Sequence, residues 1–377
     1  MSVGERVLIT GGAGFVGSHL ADALARQGCR VVLFDNLEPQ VHGGEGGRPE
    51  YLDRDHELVI GDVRDPDTLG PRVREAEVVV YLAAMVGVGQ SMYQVRRYTE
   101  VNTLGAANLL QILVDDPGQV RKLLVASSMS IYGEGAYTCP EHGPVAPRLR
   151  PPEQLAARAW EPRCSGCGVE LTPLPTDEDK PLFPTSIYAI NKRDHEEMFL
   201  AFAHAYRIPA VALRFFNIYG SRQALSNPYT GVAAIFSGRM LAGKPPLVFE
   251  DGRQLRDFVH VSDVVRACEL AIERPEADYQ ALNVGSGRPM SVLEVADALA
   301  GELGWAGGVE ITEKFRAGDI RHCFADITRI QRLLGYAPKM AFADGVGELV
   351  SWVARQQGVP DTVAEATRQL TARGLAR

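Results

Sequence analysis

The stretch TGGAGFVG, Thr10–Gly17, decides the fold because of what flanks it. The run RVLIT, Arg6–Thr10, has the composition of a strand, and residues 18–27 carry apolar side chains at helical spacing. The run RVVLF, residues 30–34, predicts a second strand that ends at Asp35. This order, a strand, a glycine-rich turn, a helix, a second strand and an acidic residue within about 30 residues, is typical of a dinucleotide-binding unit. The glycines let the backbone approach a pyrophosphate that binds at the helix N-terminus.

Asp35 indicates which dinucleotide is bound. A carboxylate at this strand end accepts hydrogen bonds from the adenosine ribose and repels a 2′-phosphate, so it favours NAD over NADP. The alternative is a polar residue that merely ends the strand. Asp62 ends the next predicted strand, which begins at Leu58, and is well placed for the adenine amino group. The residues expected to line the NAD site are Gly11, Gly14, Phe15, Val16, Gly17, Asp35, Asn36, Asp62, Val63, Leu82, Ala83, Ala84, Asn102, Tyr188 and Lys192.

Further buried strands alternate with helices. Residues 78–84 (VVVYLAA) form a nearly continuous apolar run, as a strand covered on both faces should, and residues 123–128 form the next. A helix is predicted over residues 101–113, with Asn102 at its start. This alternation predicts an α/β fold, a Rossmann-type doubly wound parallel sheet whose ligands bind beyond the carboxyl ends of the strands.

Composition excludes several classes of protein. The 377 residues are 46% hydrophobic and 23% charged, which is ordinary for a globular protein and not for a disordered one. The net charge of −8 argues against a nucleic-acid partner. No apolar run approaches the roughly 20 residues that span a bilayer, and the N-terminus does not resemble a signal peptide. We therefore expect a cytoplasmic protein with no membrane partner, whose six cysteines form no disulfide framework.

Three residues have the chemistry of a proton-transfer site. Ser128 ends a buried strand, and Tyr188 and Lys192 are one turn apart in a helix predicted to run to about residue 206. A lysine ammonium lowers the pKa of a nearby tyrosine, so we expect Tyr188 to act as the base and Ser128 to bond the same substrate oxygen. A Tyr-x3-Lys pair alone is common by chance. Together with the glycine turn and the serine, it is specific.

From TGGAGFVG to about residue 340, the sequence resembles the extended short-chain dehydrogenase/reductases, in their nucleotide-sugar epimerase/dehydratase branch. The resemblance implies that Ser128, Tyr188 and Lys192 are the catalytic triad. It also implies that Asn217, Arg256 and Arg316 contact the nucleotide-sugar diphosphate. The residues expected to bind substrate are Ser128, Ser130, Asn217, Arg256, Arg316 and Asp319. Two arginines from separate segments suit a pyrophosphate through forked, charge-assisted hydrogen bonds, although surface charge is the simpler interpretation.

We predict two interleaved domains. Residues 1–212 plus 257–282 form the NAD-binding domain, and residues 213–256 plus 283–377 form a smaller α/β nucleotide-sugar-binding domain, called here the substrate domain. In the family, helices corresponding to those near residues 99–113 and 188–206 form a homodimer's four-helix bundle, so the resemblance implies a homodimer. Core packing explains their apolar stripes equally well.

The residues after Ser128 bear on the reaction. In the family, 4,6-dehydratases have an acidic pair directly after the catalytic hydroxyl residue, whereas this chain has Met129 and Ser130. Ser128, Tyr188 and Lys192, together with NAD, suffice to oxidise one carbinol of the sugar and to reduce it again from the other face. We therefore expect a redox-neutral C4 epimerase that regenerates its NAD in each turnover. The alternatives are a 4,6-dehydratase or net sugar dehydrogenase and, in another class, a non-enzymatic dinucleotide sensor.

An inserted stretch of about residues 134–183, called here the insertion, is rich in proline and contains half of the cysteines. Cys139, His142, Cys164 and Cys167 have the spacing Cys-x2-His-x21-Cys-x2-Cys, two ligand pairs that suit a closed, tetrahedral, structural zinc site. Water or another residue could replace His142 as the fourth ligand. The alternative is three free thiols and a surface histidine. The resemblance extends to insertion-bearing bacterial epimerases of dTDP-linked deoxysugars, which makes a deoxysugar substrate plausible.

Overall fold

The structure, a computed structural model, describes residues 3–43, 47–225, 231–316, 318–356 and 363–376. Residues 1–2 and 377, the outer ends of the predicted domains, lie outside the described residues. The strands are β1 (Arg6–Thr10), β2 (Arg30–Asp35), β3 (Glu57–Ile60), β4 (Val78–Tyr81), β5 (Lys122–Ser128), β6 (Ala136–Cys139), β7 (Gly143–Val145), β8 (Thr172–Leu174), β9 (Ala210–Phe215), β10 (Asn217–Tyr219), β11 (Leu247–Val248), β12 (Leu255–His260), β13 (Ala281–Val284), β14 (Pro289–Ser291) and β15 (Glu310–Ile311).

The helices follow the same chain order. They are α1 (Phe15–Arg26), α2 (Pro39–His42), α3 (Pro66–Glu75), α4 (Val88–Ser91), α5 (Val95–Thr99), α6 (Gly105–Asp115), α7 (Pro152–Ala156), α8 (Ile187–Tyr206), α9 (Val232–Leu241), α10 (Val261–Glu273), α11 (Val292–Leu303), α12 (Thr328–Leu334), α13 (Phe342–Arg355) and α14 (Val363–Ala372). Short 3₁₀ helices cover Met129–Tyr132 and Pro275–Ala277. No helix among the described residues is both long enough and apolar enough to cross a membrane.

Seven parallel strands form the main sheet, in the order β13-β9-β5-β4-β1-β2-β3. Helices cover both faces: α1 and α10 pack together on one face, and α3, α6 and α8 on the other. Alternate residues of β1 show this, because Val7 and Ile9 join the core with α1, whereas Leu8 packs with α6 and α8. The predicted doubly wound parallel sheet is confirmed.

A smaller α/β unit lies beside the main sheet. Strands β10, β12 and β14 form one sheet and β11 and β15 a second, with a core shared by α9, α11 and α13. Strand β9 continues to Phe215 and β13 to Val284, so both strands of the main sheet extend past the domain boundaries drawn from the sequence.

The insertion forms an antiparallel sheet in the order β7-β6-β8. Its prolines limit regular structure, and its helix α7 covers only five residues. Its small core consists of Tyr137, Cys139, Cys164 and Leu171.

The prediction that Asn102 begins a helix is wrong. Helix α5, a π-helical turn at Glu100–Leu104 and helix α6 are continuous, so Asn102 lies in the middle of a helical segment and is fully buried. A π-turn widens the helix locally and re-aims its side chains. That turn directs Asn102 toward the loop after β4.

Candidate active site

The glycine turn after β1 forms a cradle that side chains would fill. Gly11 adopts a φ of +67°, and a Cβ there would lie 2.8 Å from the amide nitrogen of Ala83. A Cβ on Gly17 would lie 2.5 Å from the carbonyl oxygen of Gly11. Helix α1 then begins after Gly14, with Phe15 and Val16 half-buried in its first turn and no side chain of the described residues capping its N–H groups. These features fit a dinucleotide pyrophosphate.

Asp35 ties the end of β2 to this cradle. Its carboxylate accepts hydrogen bonds from the backbone N–H groups of Ala13, at 3.0 Å, and Leu37, at 2.9 Å. The Asp35 side chain is buried, with 7% exposure. Asp35 therefore shapes the glycine turn itself.

Asp62 follows β3 and is held by neighbours that the sequence did not suggest. Arg64 donates to both of its carboxylate oxygens, at 2.9 and 2.7 Å, and Asn36 donates at 3.0 Å. The bonds from Arg64 lower the pKa of Asp62 to about 2, so this carboxylate is ionised at neutral pH. Val63, expected beside it, is buried and accepts a hydrogen bond from Asn108 through its carbonyl.

The loop after β4 is fixed from two sides. Leu82 donates to the carbonyl of Thr10 at 3.1 Å, and Leu82, Ala83 and Ala84 are half-buried. Asn102 accepts from the Met85 N–H at 2.8 Å and donates to the Met85 carbonyl at 3.1 Å. With both side-chain groups bonded to Met85, Asn102 fixes the loop that was expected to line the cofactor.

The three residues predicted to be catalytic lie on two elements that pack together, β5 and α8. Ser128 ends β5, and the Ser130 hydroxyl lies 2.9 Å from the Ser128 hydroxyl. Helix α8 begins at Ile187, where Ser186 caps it by accepting from Ala189. This start places Tyr188 in the first turn, close enough for Ser128 to influence its pKa.

The expectation that Lys192 lowers the pKa of Tyr188 is wrong. Burial raises the pKa of Tyr188 to about 12, and only Ser128 opposes it. Burial also lowers the pKa of Lys192 to about 7. The Lys192 ammonium group donates to the carbonyl of Ala126 at 2.9 Å. The shift of Tyr188 is therefore set by desolvation, because removing the phenol from water disfavours its charged form.

His195 is a neighbour of the triad that the sequence analysis did not single out. Its Nδ1 lies 3.5 Å from Lys192 Nζ, and its Nε2 lies 3.1 Å from the Asn102 carbonyl oxygen. Since only a ring N–H can bond that carbonyl, Nε2 carries the proton and Nδ1 accepts. Burial, and then Lys192, lower the pKa of His195 to about 3, so the ring is neutral. The spacing Lys192 to His195, three residues in a helix, was the available signal.

The residues expected to contact substrate in the smaller α/β unit are of two kinds: Asn217 and Arg256 are not paired with a side chain of the described residues, whereas Arg316 and Asp319 bind each other. Asn217 begins β10, and its buried Oδ1 has no hydrogen-bond partner among the described residues, as expected of a group that binds a ligand. Arg256 lies in β12, half-buried. Arg316 and Asp319 are paired with each other at 2.7 Å, so this pair is preformed.

The four residues predicted to hold zinc come together. Cys139 Sγ lies 3.6 Å from Cys167 Sγ and 3.5 Å from His142 Nδ1, which lies 3.4 Å from Cys164 Sγ. All four ligand atoms are within 4.8 Å of one another. A tetrahedral zinc with Zn–S bonds of about 2.3 Å separates its ligands by about 3.5–3.8 Å. The donor set and its spacing therefore fit zinc.

Comparison with known proteins places this geometry in a family. The model of the NAD dependent epimerase/dehydratase family matches residues 7–152 and 166–285. The chain belongs to this family. The gap in the match, residues 153–165, falls inside the insertion. The predicted membership of the extended short-chain dehydrogenase/reductases is therefore confirmed.

Three members of the family are similar over nearly the whole chain. The dTDP-L-rhamnose 4-epimerase of Burkholderia thailandensis is 34% identical over 355 residues, 94% of this chain and 96% of that protein. The crystal structure of UDP-glucose 4-epimerase from Thermotoga maritima with UDP-glucose superposes with a TM-score of 0.76, at 29% identity, covering 93% and 99% of the two chains. The Thermus thermophilus UDP-glucose 4-epimerase in complex with NAD gives 0.73, at 29% identity and the same coverage.

Proposed function

We propose that this protein is an NAD-dependent nucleotide-sugar C4 epimerase, an isomerase that inverts the sugar through a transient 4-keto intermediate. Relatives named as 4-epimerases of dTDP-L-rhamnose and UDP-glucose support this reaction. So does the position of Tyr188 and Ser128 at the carboxyl edge of the sheet, beside the glycine cradle.

Different residues of the chain would bind different parts of NAD. The turn around Gly11 and Gly17 would take the pyrophosphate, Asp35 the adenosine ribose, and the loop fixed by Asn102 the inner wall. When bound, NAD supplies redox chemistry by accepting a hydride from C4 and returning it, and its ring charge favours an ionised Tyr188.

Tyr188 would take the proton of the sugar 4-hydroxyl and later return it. Its pKa of about 12 in the cofactor-free protein keeps the phenol protonated until a positive charge lies beside it. Ser128 would bond the same substrate oxygen, and the hydroxyl of Ser130, 2.9 Å away, would orient Ser128. Lys192, 2.9 Å from the carbonyl of Ala126, is positioned to add charge below its pKa of about 7.

The single observation that favours epimerisation is the turn after Ser128. Met129 and Ser130 follow it, so this turn offers hydroxyl groups and a thioether but no carboxylate. Elimination of water needs an acid and a base that these side chains cannot supply. A 4,6-dehydratase or a net dehydrogenase is therefore the weaker proposal.

The test is incubation with a panel of UDP- and dTDP-sugars in deuterium oxide. We expect interconversion of one C4 epimer pair, with no carbon-bound deuterium and no stoichiometric release of reduced cofactor. Accumulation of reduced cofactor would identify a dehydrogenase, and loss of water from the sugar a dehydratase. Deuterium at carbon would identify epimerisation through an enol. Any of these results would overturn the proposal.

We also propose that Cys139, His142, Cys164 and Cys167 bind one structural zinc ion. Thiolate and imidazole ligands select zinc, and four protein ligands leave no open position for substrate. Metal analysis of protein purified without chelator should give about one zinc per chain. A His142→Ala variant that keeps full zinc would reassign the fourth ligand, and a metal-free wild type would refute the site.

A homodimer completes the proposal. Val95, Leu104 and Ile190 are large apolar residues with more than two-fifths of their surface exposed, on helical segments that pack together through α5 and α8. Light scattering should give twice the chain mass, and Leu104→Glu should convert the protein to a monomer. A monomeric wild type would contradict this assembly.

A further inference from the structure

A network of mostly buried charged side chains joins the insertion to the substrate domain, with Glu161 and Asp251 at its edge keeping 33% and 30% of their side-chain surface exposed. We call it the bridging network. The insertion contributes Glu134, Arg150 and Glu161, and the substrate domain contributes Glu250, Asp251, Arg321 and His322.

Arg321 is the centre of the bridging network and has no exposed surface. Its guanidinium donates to Glu161 at 3.0 and 2.7 Å and to Asp251 at 2.6 and 3.0 Å. It also donates to Glu250 at 3.0 Å. A buried guanidinium is tolerated only when its donors are satisfied in this way, so the geometry of Arg321 depends on a carboxylate from the insertion.

The insertion also holds the backbone around Arg321. Glu134 accepts from the Arg321 N–H at 2.8 Å. Glu161 accepts from His322 Nε2 at 2.8 Å. Arg150 binds Glu250 through two bonds, of 3.0 and 2.8 Å, and donates to the Asp319 carbonyl at 3.3 Å. Residues 319–322 are therefore fixed by three side chains of the insertion.

This segment in turn fixes Arg256. The guanidinium of Arg256 donates to the carbonyls of Leu255, Ile320 and Arg321, each at 2.8 Å. Leu255 is itself held, because its N–H donates to His322 Nδ1 at 3.0 Å. Three of the five donors of Arg256 are used. Within the described residues, its Nε–H and the second Nη2–H have no protein acceptor, which leaves one edge of the guanidinium fork for a phosphate.

The Cys/His cluster closes the loop that carries two of these anchors. Arg150 and Glu161 both lie in residues 143–163, between the two ligand pairs, and Glu161 is three residues before Cys164. The insertion buries few apolar side chains. Closing such a loop therefore depends on the metal ligands and on ion pairs.

We infer that loop 143–163, closed by the metal cluster, positions Arg256 for the substrate diphosphate, with Glu161 as the positioning residue. The inference rests on the proposed function, since it concerns how the same nucleotide-sugar site is built. It assigns the insertion a role in affinity for the diphosphate, and none in proton transfer at Tyr188.

The test compares wild type with Glu161→Gln, which keeps the shape of the side chain and removes its charge. Titration calorimetry with UDP and dTDP should show about tenfold weaker binding, the size expected for one misplaced charge-assisted fork. Zinc content and NAD binding should stay at wild-type levels, which shows that the variant is folded. In turnover, KM should rise by a similar factor while kcat stays within about twofold.

Glu170→Gln is the matched control, because Glu170 lies in the same insertion and pairs only loosely with Arg163, at 3.8 Å on the surface. It should bind UDP and dTDP as wild type does. Removing zinc with a chelator should weaken binding by a similar factor in wild type and add little in Glu161→Gln, since both changes act through one chain of contacts.

Two results would overturn the inference: Glu161→Gln binding as tightly as wild type, or full additivity with zinc removal. If Glu161→Gln fails to fold, the chelator experiment on wild type decides alone, and unchanged UDP and dTDP affinity after zinc loss refutes the inference. A failure of the proposed function would be distinguishable from a failure of this inference. In that case the wild type would epimerise no sugar, but the affinities of wild type and variants for UDP and dTDP could still be compared.

Discussion

The site around Tyr188 and the insertion differ in how they accommodate buried ionisable groups. Among the described residues neither Tyr188 nor Lys192 is paired with a carboxylate, and burial itself sets their pKa values, although the neighbouring Arg214 and Glu196 form a buried ion pair. In the insertion, the apolar core is four residues, and charges are matched by charges in the bridging network. A large core can keep an ionisable group poised in its neutral form, whereas a small unit needs metal ligands and ion pairs to be stable.

The largest expected effect lies in the main sheet. Tyr188→Phe removes the proton acceptor and leaves the packing intact, so turnover should fall by about 10³-fold. NAD binding, zinc content and the unfolding temperature should not change, which also separates an enzyme from a dinucleotide sensor. Turnover within about tenfold of wild type would show that another group is the base.

The next effect belongs to the insertion. Cys164→Ser should lose zinc, and proteolysis within residues 143–163 should accelerate by about 100-fold because local opening becomes easier. Mass spectrometry of the cleavage sites measures this. The control is Cys29→Ser, since Cys29 packs in the main-sheet core and should leave zinc content unchanged. Cleavage spread over the whole chain would contradict a local role for the metal.

A smaller effect depends on pH. Burial lowers the pKa of Lys192 to about 7, so between about pH 7 and pH 10 the unfolded chain binds one more proton than the folded protein. The destabilisation by the buried ammonium is therefore complete below pH 7 and is relieved as pH rises through this window. The raised pKa of Tyr188 acts only above about pH 10.

Urea unfolding of wild type and Lys192→Met measures this relief. From about pH 6 to pH 9, wild type should gain about 2.5 kcal/mol more stability than the variant. If the free energy of unfolding depended on pH equally in the two proteins, burial would not destabilise the Lys192 ammonium in the folded state, and its pKa would not be lowered.

The smallest effect is expected at the surface of the insertion. Arg158 pairs with Glu313 at 2.7 Å, but their side chains are 61% and 49% exposed. Arg158→Ala should change the free energy of unfolding by less than about 0.5 kcal/mol, because solvent screens exposed pairs. If Arg158→Ala lowered the free energy of unfolding as much as the loss of a buried ion pair does, solvent exposure would not explain why the bridging network matters more than this surface pair.

Much of the fold was predictable because its signals are local. The turn at Gly11–Gly17 and the apolar run that became β4 each satisfy a constraint readable within a few residues. The positions of Ser128, Tyr188 and Lys192 followed from a strand end and a helical spacing. The members of the Cys/His cluster were found in the same way, since each pair spans a single Cys-x2 turn.

What failed depended on neighbours distant in sequence. The direction of the Tyr188 pKa shift was wrong because burial is a property of the packed helix, and the bond from Asn36 to Asp62, 26 residues away, was missed. Arg321 gave no signal, because its partners at residues 134–161 and 250–251 are far along the chain.

The sequence by itself determined the parallel sheet, the glycine-rich turn, the strand-end and helical positions of Ser128, Tyr188 and Lys192, and the spacing of the Cys/His cluster, since each is encoded by periodicity or by short-range geometry. Only the tertiary structure decided the protonation of Tyr188 and Lys192 and the support of Arg256 by the insertion. The physical reason is that desolvation and charge pairing depend on which surfaces meet in three dimensions.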